Sequence, residues 1–91
     1  MLTRQEANNE ILGLVAEDPF LKTRLEMLTE YVRLCPSQRF AQILCNYICS
    51  TYRDYSPDPE EVACLERLFP DNPDPFFEES VVTLQRLKHI I

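Results

Sequence analysis

Two cysteines stand four residues apart in the segment RFAQILCNYICSTYRDY, residues 39–55, where a helix would place both thiols on one face. Cys45 and Cys49 could then share a metal ion or form a redox pair. Structural zinc sites more often use C-x2-C pairs, whereas the four cysteines here follow the spacing C-x9-C-x3-C-x14-C. Because unpaired cysteine also packs as a small apolar side chain, we expect core thiols and no metal or cofactor. A metal or thiol-redox protein acting through Cys45 and Cys49 is the alternative.

The sequence offers little that is typical of a catalytic site. His89 is the only histidine and falls in the last turn of the last predicted helix, where it complements the helix dipole. The sequence contains no glycine-rich phosphate loop, no H-E-x-x-H and no G-x-S-x-G. We therefore expect a protein that is not an enzyme.

A polar stripe of Arg39, Gln42 and Asn46 follows helical spacing in the same segment. These side chains could bind a ligand, or they could clamp the proline-rich segment NPDPFFEES by satisfying its backbone carbonyls. We favour the clamp, with Arg39 paired to Asp74 or Glu78. The sequence also predicts that the two phenylalanines of this segment fold back onto the core; they are Phe76 and Phe77.

Acidic residues concentrate in one part of the chain. The net charge is −6, and residues 54–79 contain nine acidic residues but only one basic residue, Arg67. Direct binding of nucleic acid is not expected, because phosphate contacts need clustered Lys and Arg. An acidic face could instead attract a basic protein partner, although such runs are usually solvated surface. The candidate residues of this face are Asp58, Glu60, Glu61, Glu66, Asp71, Glu78 and Glu79.

Hydrophobic periodicity predicts the helices that position these residues. The first begins after Thr3, which forms a capping box with Glu6. The second begins at Asp18 as N-cap, with Pro19 at the first helical position. Proline is suited to that position because its missing N–H is not needed there.

Three further helices are predicted in the second part of the chain. The third runs from Ser37, its N-cap, to about Tyr52, and its broad apolar face places it at the centre of the fold. The fourth begins with Asp58 as cap and Pro59, and the fifth begins at about Glu79. The segment between them is predicted to be irregular, because its prolines interrupt a helical hydrogen-bond ladder.

Two stretches, RFAQILCN at 39–46 and DPFFEES at 74–80, resemble a group of small uncharacterised bacterial proteins. Those proteins carry a helix of the pattern R-[aliphatic or Phe]-G-Q-x-[aliphatic]-x-N, followed by D-P-F-[YF] and an acidic residue. Here Ala41 stands where glycine is usual, and Phe77 stands where tyrosine is commoner. The resemblance covers about half of the chain and implies a compact helical domain without an established activity. It also links the two stretches that the clamp would join.

These observations predict one all-α domain over residues 1–91, a compact bundle of four to five short helices. No apolar run is long enough to span a bilayer and the N-terminus is polar, so we expect a cytoplasmic protein. We expect a non-enzymatic interaction or regulatory protein, a monomer or homodimer, that uses the acidic face or a groove beside the third helix. The alternative from another class is a phage- or mobile-element-type inhibitor that binds a basic nucleic-acid-binding surface.

Overall fold

Five helices build the protein in the computed structural model, which describes residues 2–49, 58–72 and 74–90. They are α1 (Arg4–Val15), α2 (Leu25–Leu34), α3 (Phe40–Ile43), α4 (Pro59–Leu68) and α5 (Ser80–Ile90). Short 3₁₀ turns cover Lys22–Arg24 and Pro75–Phe77, and a π-helical turn covers Leu44–Ile48. No strand occurs in the ranges that the structure describes. The predicted all-α bundle is confirmed.

Two helix starts follow from capping residues as predicted. Thr3 Oγ1 accepts the backbone N–H of Glu6 at 3.1 Å, and the Glu6 carboxylate accepts the N–H of Thr3 at 3.0 Å. Asp58 accepts the N–H of Glu60 at 2.8 Å, with Pro59 at the first helical position. In both helices, side chains satisfy backbone donors that have no partner inside the helix.

Asp18 does cap a turn, but α2 begins at Leu25, six residues after Pro19, the predicted first helical position. The Asp18 carboxylate accepts the N–H groups of Phe20 and Leu21 at 3.0 and 3.1 Å. The chain then forms the 3₁₀ turn before α2 begins at Leu25. The carboxylate also takes two hydrogen bonds from the Arg67 guanidinium, at 2.8 and 3.1 Å, and so ties this turn to α4.

The third predicted helix differs from expectation at both ends. Its N-cap is Arg39, not Ser37, and its α-helical part ends at Ile43. The chain then widens into the π-helical turn, which the N–H of Cys49 closes on the carbonyl of Leu44 at 2.7 Å. Cys49 itself is extended, so the helix does not continue through it. The predicted end at Tyr52 lies outside the described residues.

The core forms where α1, α5, α2 and α3 meet. Phe40, Ile43 and Leu44 are fully buried, together with Ile11 of α1 and Leu28 of α2. Helices of this length draw most of their stability from such packing, since short helices are marginal alone in water. α3 and its π-helical turn therefore lie inside the fold, as their broad apolar face predicts.

A buried polar network joins three parts of the chain. Ser80 Oγ accepts the backbone N–H of Phe40 at 3.0 Å and donates to Asn8 Oδ1 at 2.5 Å. Asn8 Nδ2 donates to the carbonyl of Gln38 at 2.9 Å. Asn8 and Ser80 are fully buried. The network fixes the starts of α3 and α5 against α1, because each of its buried polar atoms depends on another element.

Candidate functional site

The first candidate site is the cluster of Arg39 with Phe76 and Phe77. Arg39 Nε donates to the carbonyl of Phe76 at 3.2 Å. The guanidinium carbon lies 5.7 Å from the ring centre of Phe76 and 5.6 Å from that of Phe77. The two rings meet edge to face, with centroids 5.0 Å apart. One guanidinium thus contacts both aromatic side chains of the 3₁₀ turn.

The rest of the polar stripe is engaged elsewhere. Gln42 Oε1 accepts the N–H of Arg39 at 3.2 Å, within the start of its own helix. Asn46 Nδ2 donates to Gln38 Oε1 at 3.4 Å. Asp74 is exposed, and its N–H donates to Asn72 Oδ1 at 3.2 Å. Arg39 is therefore the stripe residue that the structure brings onto the proline-rich segment, and it bonds a carbonyl where a carboxylate was predicted.

Phe77 does not fold back onto the core, contrary to prediction. It is 72% exposed, whereas Phe76 is half-buried. A 3₁₀ turn has three residues per turn, so consecutive side chains point about 120° apart. Two adjacent phenylalanines in such a turn cannot both face inward, and Phe77 projects into solvent.

The predicted acidic face is divided by burial and by ion pairing. Glu61 and the Glu78 side chain are buried, with 7% and 8% exposure, so they do not contribute to an exposed face. Glu79 is ion-paired to Arg4 at 2.6 Å. The residues of this set that remain exposed without a basic partner in the described part of the chain are Asp58, Glu60, Glu66 and Asp71.

Glu78 has a structural setting that explains its burial. It accepts hydrogen bonds from Thr83 Oγ1 at 2.6 Å and from Asn72 Nδ2 at 3.2 Å, and it pairs with Arg86 at 2.8 Å. Arg86 also donates twice to the carbonyl of Leu68, at 3.1 and 2.5 Å. Through Arg86, this cluster connects the C-terminal end of α4 to α5. The Glu78 carboxylate can be buried there because it has several polar partners.

The cysteines lie mostly in the core. Cys45, Cys49 and Cys64 are buried and Cys35 is half-buried. Burial and the nearby Asp74 charge raise the pKa of Cys45 to about 11, and burial with the adjacent Asp18 charge raises the pKa of Cys64 still further. Within the described residues no three His, Cys, Asp or Glu side chains group as metal ligands would. With their raised pKa values, the Cys45 and Cys64 thiols are protonated at neutral pH and are poor nucleophiles.

A second candidate site, whose residues were not predicted from the sequence, is an exposed groove along α2. Met27, Tyr31 and Leu34 follow the spacing i, i+4, i+7 and form an apolar strip, with Met27 44% and Leu34 57% exposed. The Tyr31 ring stacks on Tyr47 of the π-helical turn, with centroids 4.4 Å apart and planes 6° apart. The α2 groove has a volume of about 680 Å³ and is lined by Thr23, Arg24, Glu26, Met27, Glu30, Tyr31 and Leu34.

A signal for this groove was present in the sequence. α2 carries two apolar stripes that are offset by one residue, one through Leu28 and Val32 and one through Met27, Tyr31 and Leu34. The first stripe is buried and the second faces the groove. A helix with a wider apolar face than its core contact needs is typical of a binding surface.

Comparison of the chain with protein-family models, with curated proteins and with solved structures found no match. In the described ranges, every helix is too short or too polar to cross a membrane.

Proposed function

We propose that this protein is a non-enzymatic interaction protein that binds a protein partner through the α2 groove. The observation that carries the proposal is the strip of Met27, Tyr31 and Leu34, on a helix whose other face is buried. Met27 and Leu34 are exposed in this strip and Tyr31 is half-buried. Tyr and Met are enriched at protein interfaces, and the apolar core of an interface supplies most of its affinity. Among the sequence-based hypotheses, a groove beside the third helix is the one nearest to this proposal, since Tyr31 stacks on Tyr47 of the π-helical turn.

Contacts within the protein hold side chains of the α2 groove in place before a partner binds. Tyr31 is held against Tyr47 by ring stacking, and Tyr47 accepts a hydrogen bond from Gln38 Nε2 at 3.4 Å. The guanidinium of Arg24 lies over the Phe20 ring at 3.9 Å. Side chains that are already ordered lose little conformational entropy when a partner arrives, which favours affinity.

The charges beside the strip favour a partner with basic residues around an apolar centre. Glu26 and Glu30 stand one turn apart on the edge of the groove, and both are exposed. Glu30 forms an ion pair with Arg33, whereas Glu26 has no ion-pair partner among the described residues. Opposite charge at the rim of an interface accelerates association and adds specificity.

A second candidate function is inhibition of a basic nucleic-acid-binding protein, and the exposed carboxylates of α4 and its flanks favour it. Asp58, Glu60, Glu66 and Asp71 lie near Arg67, the only basic residue in this part of the sequence. Arg67 Nε forms an ion pair with Asp18 Oδ1 at 2.8 Å, and Arg67 does not pair with those four carboxylates. Strong salt dependence of partner binding would separate this candidate from apolar binding in the α2 groove.

Site-specific photocrosslinking tests the α2 groove. A photoreactive amino acid replaces Leu34 in one protein and Val82 in a matched control, since Val82 is a similarly exposed apolar residue (51%) on α5. Each protein is irradiated in an extract of its source cells. We expect a discrete adduct, including any adduct with a second copy, from position 34 only. Excess unlabelled protein should suppress it and excess Leu34→Asp protein should not; equal adducts from positions 34 and 82 would contradict the proposal.

A further inference from the structure

Phe77 and the α2 groove are complementary in chemistry. Phe77 is the one strongly exposed aromatic residue in the part of the chain that the structure describes. Its ring contacts the Phe76 ring and the Arg39 guanidinium. The groove offers what an aromatic ring binds best, a thioether in Met27, a ring face in Tyr31 and an aliphatic side chain in Leu34.

The charges beside the two surfaces are also complementary. Arg39 uses Nε for the carbonyl of Phe76, and its terminal Nη atoms form no hydrogen bond with the described residues. Glu26, at the edge of the groove, has no ion-pair partner among those residues. The Arg39 charge also acts on Glu79 within the same chain. A Phe77 ring entering the groove would bring the Arg39 Nη donors to the Glu26 carboxylate, and hydrogen bonds between Arg and a carboxylate are among the stronger ones.

We infer that the partner in the α2 groove is a second copy of this chain, which inserts Phe77 while its Arg39 faces Glu26. The inference rests on the proposed function of the groove. Two reciprocal insertions close a two-fold dimer, in which each copy gives its Phe77 and receives that of the other.

Direct pairing of α2 with the α2 of a second copy is less favourable. Antiparallel packing over the strip would centre on Tyr31 and bring together two Glu30 carboxylates, each of which Arg33 already pairs within its own copy. This packing would leave the Phe77 ring exposed. Insertion of Phe77 covers the exposed aromatic ring as well as the strip.

Sedimentation equilibrium over a hundredfold range of protein concentration tests the dimer. We expect the wild-type mass to rise from monomer to dimer, and Phe77→Asp and Leu34→Asp each to weaken dimerisation at least about tenfold, as for interface hot spots. Val82→Asp, the matched control, should dimerise like wild type. Circular dichroism verifies folding, and Phe77→Ser and Leu34→Gln replace any variant that fails to fold.

Mixing the two defective variants is the decisive measurement. The Phe77→Asp protein keeps an intact groove, and the Leu34→Asp protein keeps an intact Phe77. A heterodimer of the two variants therefore retains one of the two contacts, whereas each homodimer retains neither. We expect the mixture to form heterodimers more readily than either variant forms homodimers. Direct α2 pairing predicts instead that Phe77→Asp dimerises normally and that mixing restores nothing.

The outcomes also separate this inference from the proposal on which it rests. A wild-type protein that stays monomeric at every concentration, or a Phe77→Asp variant that dimerises normally, overturns the second-copy inference. If position 34 still crosslinks to a different protein, the proposed function of the groove survives that result. If position 34 gives no specific adduct and the wild type is monomeric, both fail.

Discussion

Ser80 and Asn8, separated by 72 residues in sequence, are joined by a buried hydrogen bond in which Ser80 Oγ donates to Asn8 Oδ1. The same hydroxyl accepts the N–H of Phe40 and thereby caps the start of α3. One side chain thus connects three helices, and its loss would leave polar atoms on two of them without a partner.

Replacing Ser80 with Ala should destabilise the protein by about 1–3 kcal/mol, the cost of leaving buried polar groups unsatisfied. Urea unfolding followed by circular dichroism measures the change. Ser37→Ala is the matched control, since Ser37 is exposed, and its free energy of unfolding should stay within about 0.5 kcal/mol of wild type. Equal midpoints for the Ser80 and Ser37 variants would contradict a structural role for the network.

Replacing Leu44 with Ala should cost about 2–5 kcal/mol, because Leu44 is fully buried and the change leaves a cavity at the centre of the core. The control is Leu34→Ala in the exposed α2 groove, which removes the same atoms and should change stability by less than about 0.5 kcal/mol. The urea midpoints of the two variants test this contrast. An unchanged midpoint for Leu44→Ala would show that the core is not centred on α3 and its π-helical turn.

Asp18 should make stability depend on acidic pH. Burial opposes ionisation of its carboxylate, but hydrogen bonds from Arg67 and the Leu21 N–H outweigh burial and hold the pKa below its ordinary value of 3.8. A lowered folded-state pKa contributes stability that is present above the unfolded-state pKa and lost as the pH falls through the folded-state pKa. Asp18→Asn should therefore be less stable than wild type at pH 7 and approach it at about pH 2.

The control for the Asp18 effect is Glu17→Gln at the neighbouring position, whose carboxylate is exposed and only loosely paired with Lys22 at 3.6 Å. Its stability should follow the wild-type dependence on pH, because exposed ion pairs contribute little. Unfolding midpoints between pH 2 and pH 7 compare the three proteins. A constant difference between wild type and Asp18→Asn at every pH would exclude the charge of Asp18 as the cause.

Thiol labelling should follow burial. In the folded protein Cys35 should react first with a maleimide at pH 7, since it is half-buried, whereas Cys45 should react only after unfolding because its pKa is raised to about 11. Mass spectrometry of digested protein locates the label, and Cys35→Ser should remove the fast phase. Rapid labelling of Cys45 in the folded state would instead support the thiol-redox alternative.

Arg39→Lys should loosen the 3₁₀ turn of Pro75–Phe77 while preserving the charge. Lysine has neither the Nε–H that bonds the carbonyl of Phe76 nor the planar guanidinium that contacts both rings. We expect faster hydrogen exchange at the amide of Glu78, which donates to the carbonyl of Pro75 in this turn. Arg33→Lys on exposed α2 is the control, and unchanged exchange in the Arg39 variant would remove the clamp hypothesis.

The sequence predicts those features that depend on neighbouring residues. The capping box of Thr3 and Glu6 and the start of α4 at Asp58 and Pro59 follow from local hydrogen bonds, and both are correct. The broad apolar face from Phe40 to Ile48 also identifies the part of the chain that lies deepest. Each of these features is encoded within a few turns of helix.

Features that depend on distant residues were not predicted. Asn8 interrupts the apolar face of α1, between Ala7 and Ile11, and this is the only local sign of its buried network. Nothing near Ser80 in sequence indicates that its hydroxyl caps α3. The direction of Phe77 and the exposure of the second stripe on α2 likewise depend on which surfaces the rest of the fold leaves uncovered.

The π-helical turn of Leu44–Ile48 makes the length of the chain, as well as its composition, a condition of the fold. A π turn closes its hydrogen bond over five residues, so it holds one residue more than an α turn over a similar stretch. Removing that extra residue ahead of Tyr47 would turn Tyr47 and Ile48 by about 100° around the helix axis. Tyr47 would then leave the ring of Tyr31, and a single-residue deletion would disturb the α2 groove without changing any residue that lines it.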